Sequence, residues 1–268
     1  MKRRDFLKST VALAGSGAGL SNRTAVAQDD SKTTARVCFE LRLYHLRRGP
    51  KTELFDRFYR DAAVPALNRA GIEHVGVFAI AVGPEAPTLY VLLQHPSFES
   101  LSSMPGRLAD DAEFQKAGAE FLNAPADDPA FVRVDSSLMV AFEGMPRLEV
   151  PSFPGGGQSR LFELRTYESH SQKANDKKVE MFNRGEIAIF RHAGFQPVFY
   201  GQGVIGTRLP SLTYMLAAEN AEARDRGWSA FGADPEWKKL RNMPGYSDAE
   251  IVGDISNVLL RAAPYSQI

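Results

Sequence analysis

Phe39-Glu40-Leu41-Arg42-Leu43-Tyr44 and Phe162-Glu163-Leu164-Arg165-Thr166-Tyr167 are nearly the same segment written twice, 123 residues apart (162 − 39). The offset holds beyond these stretches. Ala70-Gly71 returns as Ala193-Gly194, Gly83 as Gly206, Pro87 as Pro210 and Leu89 as Leu212. Asp111, Glu113 and Lys116 return as Asp234, Glu236 and Lys239. A period this long exceeds any solenoid unit, so the chain reads as two tandem copies of one small domain. Sites belong at positions the copies share, or at the seam between them.

Working outward, Val37 to Leu46 alternates, with Phe39, Leu41 and Leu43 on one face and Glu40, Arg42 and Tyr44 on the other. That is the period of a strand. Residues 51–70 carry the apolar stripe Leu54, Phe55, Phe58, Ala62 and Leu67 of an amphipathic helix, with Pro65 as a kink point and Gly71 as its stop. Residues 74–82 and 88–94 read as two strands joined by the turn-rich Gly83-Pro84-Glu85-Ala86-Pro87. A second helical region through 110–122 and a strand at 131–142 complete a βαββαβ unit, the ferredoxin-like motif. The second copy repeats the order: strand 161–168, helix 177–193, strands 197–203 and 211–217, helix 235–241, strand 255–262. The expected division is domain 1 over 36–143, a linker over 144–159 and domain 2 over 160–264. Pro154-Gly155-Gly156-Gly157 suits a linker. It does not suit a phosphate loop, because no Gly-Lys-Ser/Thr follows.

The first 27 residues read as an address. Arg3-Arg4-Asp5-Phe6-Leu7-Lys8 has the pattern of a twin-arginine export signal, a weakly apolar stretch runs from Thr10 to Leu20, and Ala25-Val26-Ala27 offers a small-x-small cleavage site. The expected product starts at Gln28, is periplasmic or secreted, and keeps no membrane-spanning segment. It holds 27 basic and 31 acidic residues, a net charge of −4, which gives no footing for nucleic-acid binding. The single cysteine, Cys38, rules out an internal disulfide framework and reads as a small buried hydrophobe.

Chemistry concentrates on the repeated strand. If its Phe and Leu face packs on the unit's own helices, the other face presents Glu40, Arg42, Tyr44, Glu163, Arg165 and Tyr167. With the two sheets packed face to face, these six would line the space between them. Such charges must be paired and hydrogen-bonded. They would form either an ion-pair network that docks the sheets or a polar pocket for a small anionic or carbonyl-bearing ligand. The histidines (His45, His74, His95, His170, His192) show no metal-site spacing, so no metal is expected. No cofactor is called for, although a single axial histidine to haem leaves no spacing signature and stays open. Trp237 aligns with Phe114 and reads as core, whereas Trp228 has no aromatic counterpart and reads as lining a pocket or an oligomer surface.

The doubled Phe-Glu-Leu-Arg-x-Tyr strand, the helix ending at Ala-Gly and the Pro-flanked strand pair resemble the NIPSNAP family over residues 36–142 and 160–262. The resemblance implies an α+β fold of the dimeric α/β-barrel type, in which two ferredoxin-like units face each other, here within one chain. It brings no settled catalytic residues. The leading expectation is an exported protein that binds a small molecule in the barrel between its repeats. The rivals are a cofactor-independent oxygenase or isomerase, a haem-binding barrel, and an assembly protein without a pocket. Further self-association is left open.

Overall fold

A computed structural model describes residues 36–82, 87–153 and 160–268. The export-signal reading of 1–27, most of the 83–87 connector and the Pro154–Gly157 part of the linker lie outside the described residues. The first repeat runs β1 (Cys38–His45), α1 (Lys51–Phe58), a π-helical turn (Tyr59–Ala63), α2 (Val64–Arg69), β2 (Val75–Val82), β3 (Thr88–His95), α3 (Phe98–Ala109), α4 (Ala112–Ala117), α5 (Ala119–Leu122) and β4 (Arg133–Ala141). The second runs β5 (Leu161–Glu168), α6 (Gln172–Met181), a π-helical turn (Phe182–Glu186), α7 (Ile187–His192), β6 (Gln196–Ile205), β7 (Ser211–Ala218), α8 (Ala221–Ala233), α9 (Pro235–Arg241), α10 (Asp248–Ile251) and β8 (Asp254–Ala262).

Several of the residues repeated at the 123-residue offset have identifiable backbone duties. Asp111 and Asp234 cap α4 and α9: the first carboxylate accepts from the Phe114 amide, the second from those of Glu236 and Trp237. Gly71 and Gly194 follow α2 and α7 at φ 90° and 95°, a left-handed stop that a side chain would strain. The π-helical turns fall on the same offset (182 − 59). Both repeats also form a helix ahead of the second helical region expected from sequence. These are α3 and α8, whose first turns are capped by Ser97 and Asn220.

The eight strands close into a barrel in the order β1-β3-β2-β8-β5-β7-β6-β4. Each repeat contributes four neighbouring strands. The antiparallel pairs β2–β8 and β4–β6 are the seams between repeats, and β1–β4 and β5–β8 lie inside them. Helices cover the outside. Three apolar clusters result: one under the helices of each repeat, and a third inside the barrel drawn from both. Ring contacts cross the lumen between repeats, Phe39 to Phe199 at 5.1 Å and Phe78 to Phe162 at 4.9 Å between centroids. Among the described residues no helix is long and apolar enough to cross a membrane.

Candidate functional site

The structure inverts the faces of the repeated strand. Phe39, Leu41, Phe162 and Leu164 point into the barrel and belong to its shared core. Tyr44 packs with α1 residues such as Leu54 and Phe55, and Tyr167 with Met181 and Phe182. The expectation that Glu40, Arg42, Tyr44, Glu163, Arg165 and Tyr167 line the lumen is therefore corrected. They lie on the outer face of the sheet, beneath the helices of their own repeats. The reason is packing: the middle of an eight-stranded barrel has room for little beyond its own inward side chains, and here these are aromatic and aliphatic.

Each glutamate is the hub of a network. Glu40 accepts from Arg42 Nε and Nη2 at 2.6 and 2.8 Å, from Ser136 Oγ at 3.1 Å and from His95 Nε2 at 3.2 Å. Burial alone would push its pKa up, but the hydrogen bonds from His95 and Arg42 prevail and hold it at about 2. Glu163 accepts from Arg165 Nη1 at 2.8 Å, Arg224 Nε at 2.6 Å, Trp228 Nε1 at 2.8 Å and Asn257 Nδ2 at 3.2 Å. Against the cost of burial, Arg224, Trp228 and Arg165 keep it below the usual range. Trp228 is half-buried. It packs edge-on against Phe190 and Phe195 while its N–H meets Glu163, and the Arg165 guanidinium lies 4.7 Å from its ring centre.

In the first repeat Arg42 of the Glu40–Arg42 pair borders a cavity of about 210 Å³ between sheet and helices. Arg42, Tyr44 and Tyr59 supply its polar atoms, and Phe58, Phe114 and Phe121 are among the rings that wall it. Phe58 and Phe121 stack at 4.0 Å, and Tyr44 stands edge-on to Tyr59 at 5.7 Å. Glu40 engages Nε and Nη2 of Arg42, so Nη1 is the guanidinium nitrogen not committed to that pair. Although Arg42 lies beneath the helices, 21% of its side chain is reached by water. Tyr59 is fully buried, which pushes its pKa well up and keeps its hydroxyl a donor.

The second repeat fills the same place. Counting 123 onward, Phe55 becomes Lys178, Tyr59 becomes Phe182, Ala63 becomes Glu186 and Val91 becomes Tyr214. Lys178 Nζ lies 3.2 Å from Glu186 Oε2, with both side chains almost wholly buried. The rings of Phe182, Tyr167 and Trp237 stand 5.3, 5.4 and 5.7 Å from the ammonium. Burial opposes charge on both groups. Glu186 and Tyr167 nevertheless hold Lys178 above its ordinary pKa, while burial leaves Glu186 above its own. Tyr167 and Tyr214 share a hydroxyl contact at 3.0 Å.

Elsewhere, Trp237 and Cys38 are buried as expected, and burial raises the thiol pKa. His95 and His45 are buried partners of carboxylates, Glu40 and Asp135. His170 and His192 are exposed. Among the described residues no group of three His, Cys, Asp or Glu could hold a metal ion. Sequence reading missed His95, Arg224 and Trp228 as glutamate partners. It also missed the Lys178–Glu186 pair, whose eight-residue separation across a helix was a usable signal.

A family model described as NIPSNAP matches the chain twice, over residues 39–143 and 162–267. Among solved structures, the chain is similar to a candidate monooxygenase from Lactobacillus acidophilus at TM-score 0.58 and 9% identity, covering 87% of this chain and 98% of that one. A second candidate monooxygenase, from Fusobacterium nucleatum, aligns at TM-score 0.54 and 8% identity, covering 85% and 93%. An uncharacterised NIPSNAP-like domain protein from Burkholderia xenovorans is 23% identical over 41% of this chain and 90% of its own, at TM-score 0.37. No curated protein matches. At these identities the structural likenesses establish the fold alone.

Proposed function

The chain belongs to the NIPSNAP family, carried twice in tandem, and on that premise we propose that it binds a small one-ring ligand with an anionic or carbonyl group, held between sheet and helices of the first repeat. The observation that carries the proposal is Arg42, a guanidinium facing an aromatic-walled cavity of about 210 Å³ beneath the helices. An interior arginine is costly unless its donors are met, and a ligand oxygen meets Nη1 where Glu40 does not. Tyr59, which keeps its proton and whose hydroxyl meets Tyr44 and Arg42, completes the polar end, and the phenylalanine rings receive the ligand's apolar body. Apolar cavities of about 150 Å³ hold benzene, so one ring with a short polar substituent suits this space.

Binding is better supported than catalysis. The carboxylate nearest the cavity, Glu40, is held at about 2 and already accepts four hydrogen bonds, so it is a poor general base near neutral pH. No histidine is among the residues that line the cavity, which leaves the axial-haem reading without support there.

Titration calorimetry with benzoate tests the proposal. Saturable binding is expected, with loss in Ala63→Met, which fills the cavity, and weakening in Arg42→Lys, which keeps the charge but loses the fork. Binding equal in wild type and both variants, or none at millimolar benzoate, overturns it.

The proposal includes export in the folded state by the twin-arginine route, supported by Arg3-Arg4 and the Ala25-Val26-Ala27 site. Arg3→Lys with Arg4→Lys should trap the uncleaved chain in the cytoplasm. Unchanged periplasmic recovery of a product starting at Gln28 would remove this part.

A further inference from the structure

The barrel itself has an open end. Where β1 and β5 finish and β4 and β8 begin, the lumen widens into a cavity of about 330 Å³ lined from both repeats. Its floor is the apolar core layer of Leu41, Met139 and Leu164. Its rim is polar. His45 Nε2 lies 2.8 Å from Asp135 Oδ2, and Arg208 Nη1 donates to Ser256 Oγ at 2.7 Å and lies 3.4 Å from Glu168 Oε1. Hydroxyls of Ser137, Thr166 and Thr213 stand between rim and floor. Among the described residues that line it, Asp135 is bonded to His45 and Arg133, while Arg208 is bonded to Ser256 and paired with Glu168.

We infer that this mouth is a second ligand site, distinct from the Arg42 cavity, for an amphiphilic monocarboxylate. The carboxylate head sits at the Arg208 rim and the apolar chain descends the lumen toward Leu41, Met139 and Leu164. Three features carry the inference. The volume falls in the range of small-molecule pockets, which mix apolar walls with a few placed polar groups. Both of Arg208's bonds, to Ser256 and Glu168, run through Nη1, so its Nε and Nη2 are turned to a carboxylate in the fork geometry. The floor is apolar, so a hydrocarbon chain gains by leaving water there. The site exists only because the repeats are joined: Leu41, His45 and Asp135 come from one, Leu164, Arg208 and Ser256 from the other.

Octanoate is the probe, titrated calorimetrically into the folded protein at fixed salt. Saturable one-to-one binding is expected. Arg208→Gln, a change at an exposed rim side chain, should weaken it about tenfold. Ser137→Phe should abolish it by filling the mouth, with circular dichroism checking that the fold persists. Should Ser137→Phe not fold, Arg208→Gln decides alone. Octanoate should still bind when Ala63→Met has closed the first-repeat cavity, whether or not benzoate proves to bind there. Absence of saturable binding below about 1 mM overturns the inference. So does binding that Arg208→Gln leaves intact, or binding that Ala63→Met removes.

Discussion

Glu40 and Glu163 are pure acceptors set among donors, and their energetics follow from that. Removing one strands several cations at once beneath a helix. Glu163→Ala leaves Arg165 and Arg224 without their shared carboxylate, so a loss of ~3–5 kcal/mol is expected in urea denaturation. A loss under ~1 kcal/mol would reduce the network to solvated pairing. Acid offers a second test. Glu40 is at about 2 in the folded chain against an ordinary 4.5, so its folded pKa is depressed. Its contribution is therefore complete above 4.5 and lost as pH falls from there toward 2. The urea midpoint should fall between pH 5 and pH 3, and Glu40→Gln should flatten that slope. At this scale the sequence singled out glutamates and arginines that the structure does pair, and put them on the wrong side of the sheet. Alternation separates the two faces of a strand but does not say which is inside. In a helix-covered barrel both faces are buried, so polarity alone is a poor guide. His95, Arg224 and Trp228 reach the glutamates from 55 to 65 residues away, with no local spacing to announce them.

The helical layer shows how one element serves two ends. Both repeats interrupt the first helix with a π-helical turn, which re-aims the residues that follow. In the first repeat the inward positions hold Phe55, Tyr59 and Ala63 beside a cavity; in the second they hold Lys178, Phe182 and Glu186. The buried pair allows a sharp test of this equivalence. Glu186→Ala alone leaves the buried ammonium with only the more distant, half-exposed Asp248 at 3.7 Å and should cost ~3–5 kcal/mol. Lys178→Phe combined with Glu186→Ala restores the first repeat's own solution and should recover most of that loss. A double-mutant cycle with a coupling energy near zero would show that the two repeats do not share this interior geometry. Strands were easily read, because alternation and Pro- or Gly-marked turns bracket them. α3 and α8 were not: α3 buries only Met104, and α8 only Gly227 and Phe231, too few for an apolar stripe. Pro105 and Gly227 within them also read as breakers.

At the scale of the molecule, the doubled sequence means a dimer folded into one chain. The barrel core is owned by neither repeat: Phe39, Leu41, Phe78 and Met139 meet Phe162, Leu164, Phe199 and Leu260 across it. The seams β2–β8 and β4–β6 close the sheet only when both repeats are present. A lone repeat would expose an apolar sheet face and two unpaired edge strands, the arrangement that drives association or aggregation. The internal repeat made this architecture legible, since one domain written twice must cover that face somewhere and its copy is always at hand. We expect either repeat expressed alone to be absent from the monomer fraction in size-exclusion chromatography with light scattering. The two expressed together as separate chains, cut between Phe153 and Arg160, should assemble one to one, with near-ultraviolet circular dichroism like that of the intact chain. Dilution should dissociate the cut pair and leave the intact chain unaffected, because the linkage replaces a concentration-dependent encounter with an intramolecular one. A lone repeat that runs as a stable, cooperatively unfolding monomer would show that the core is not shared, and that the barrel is two domains resting on each other.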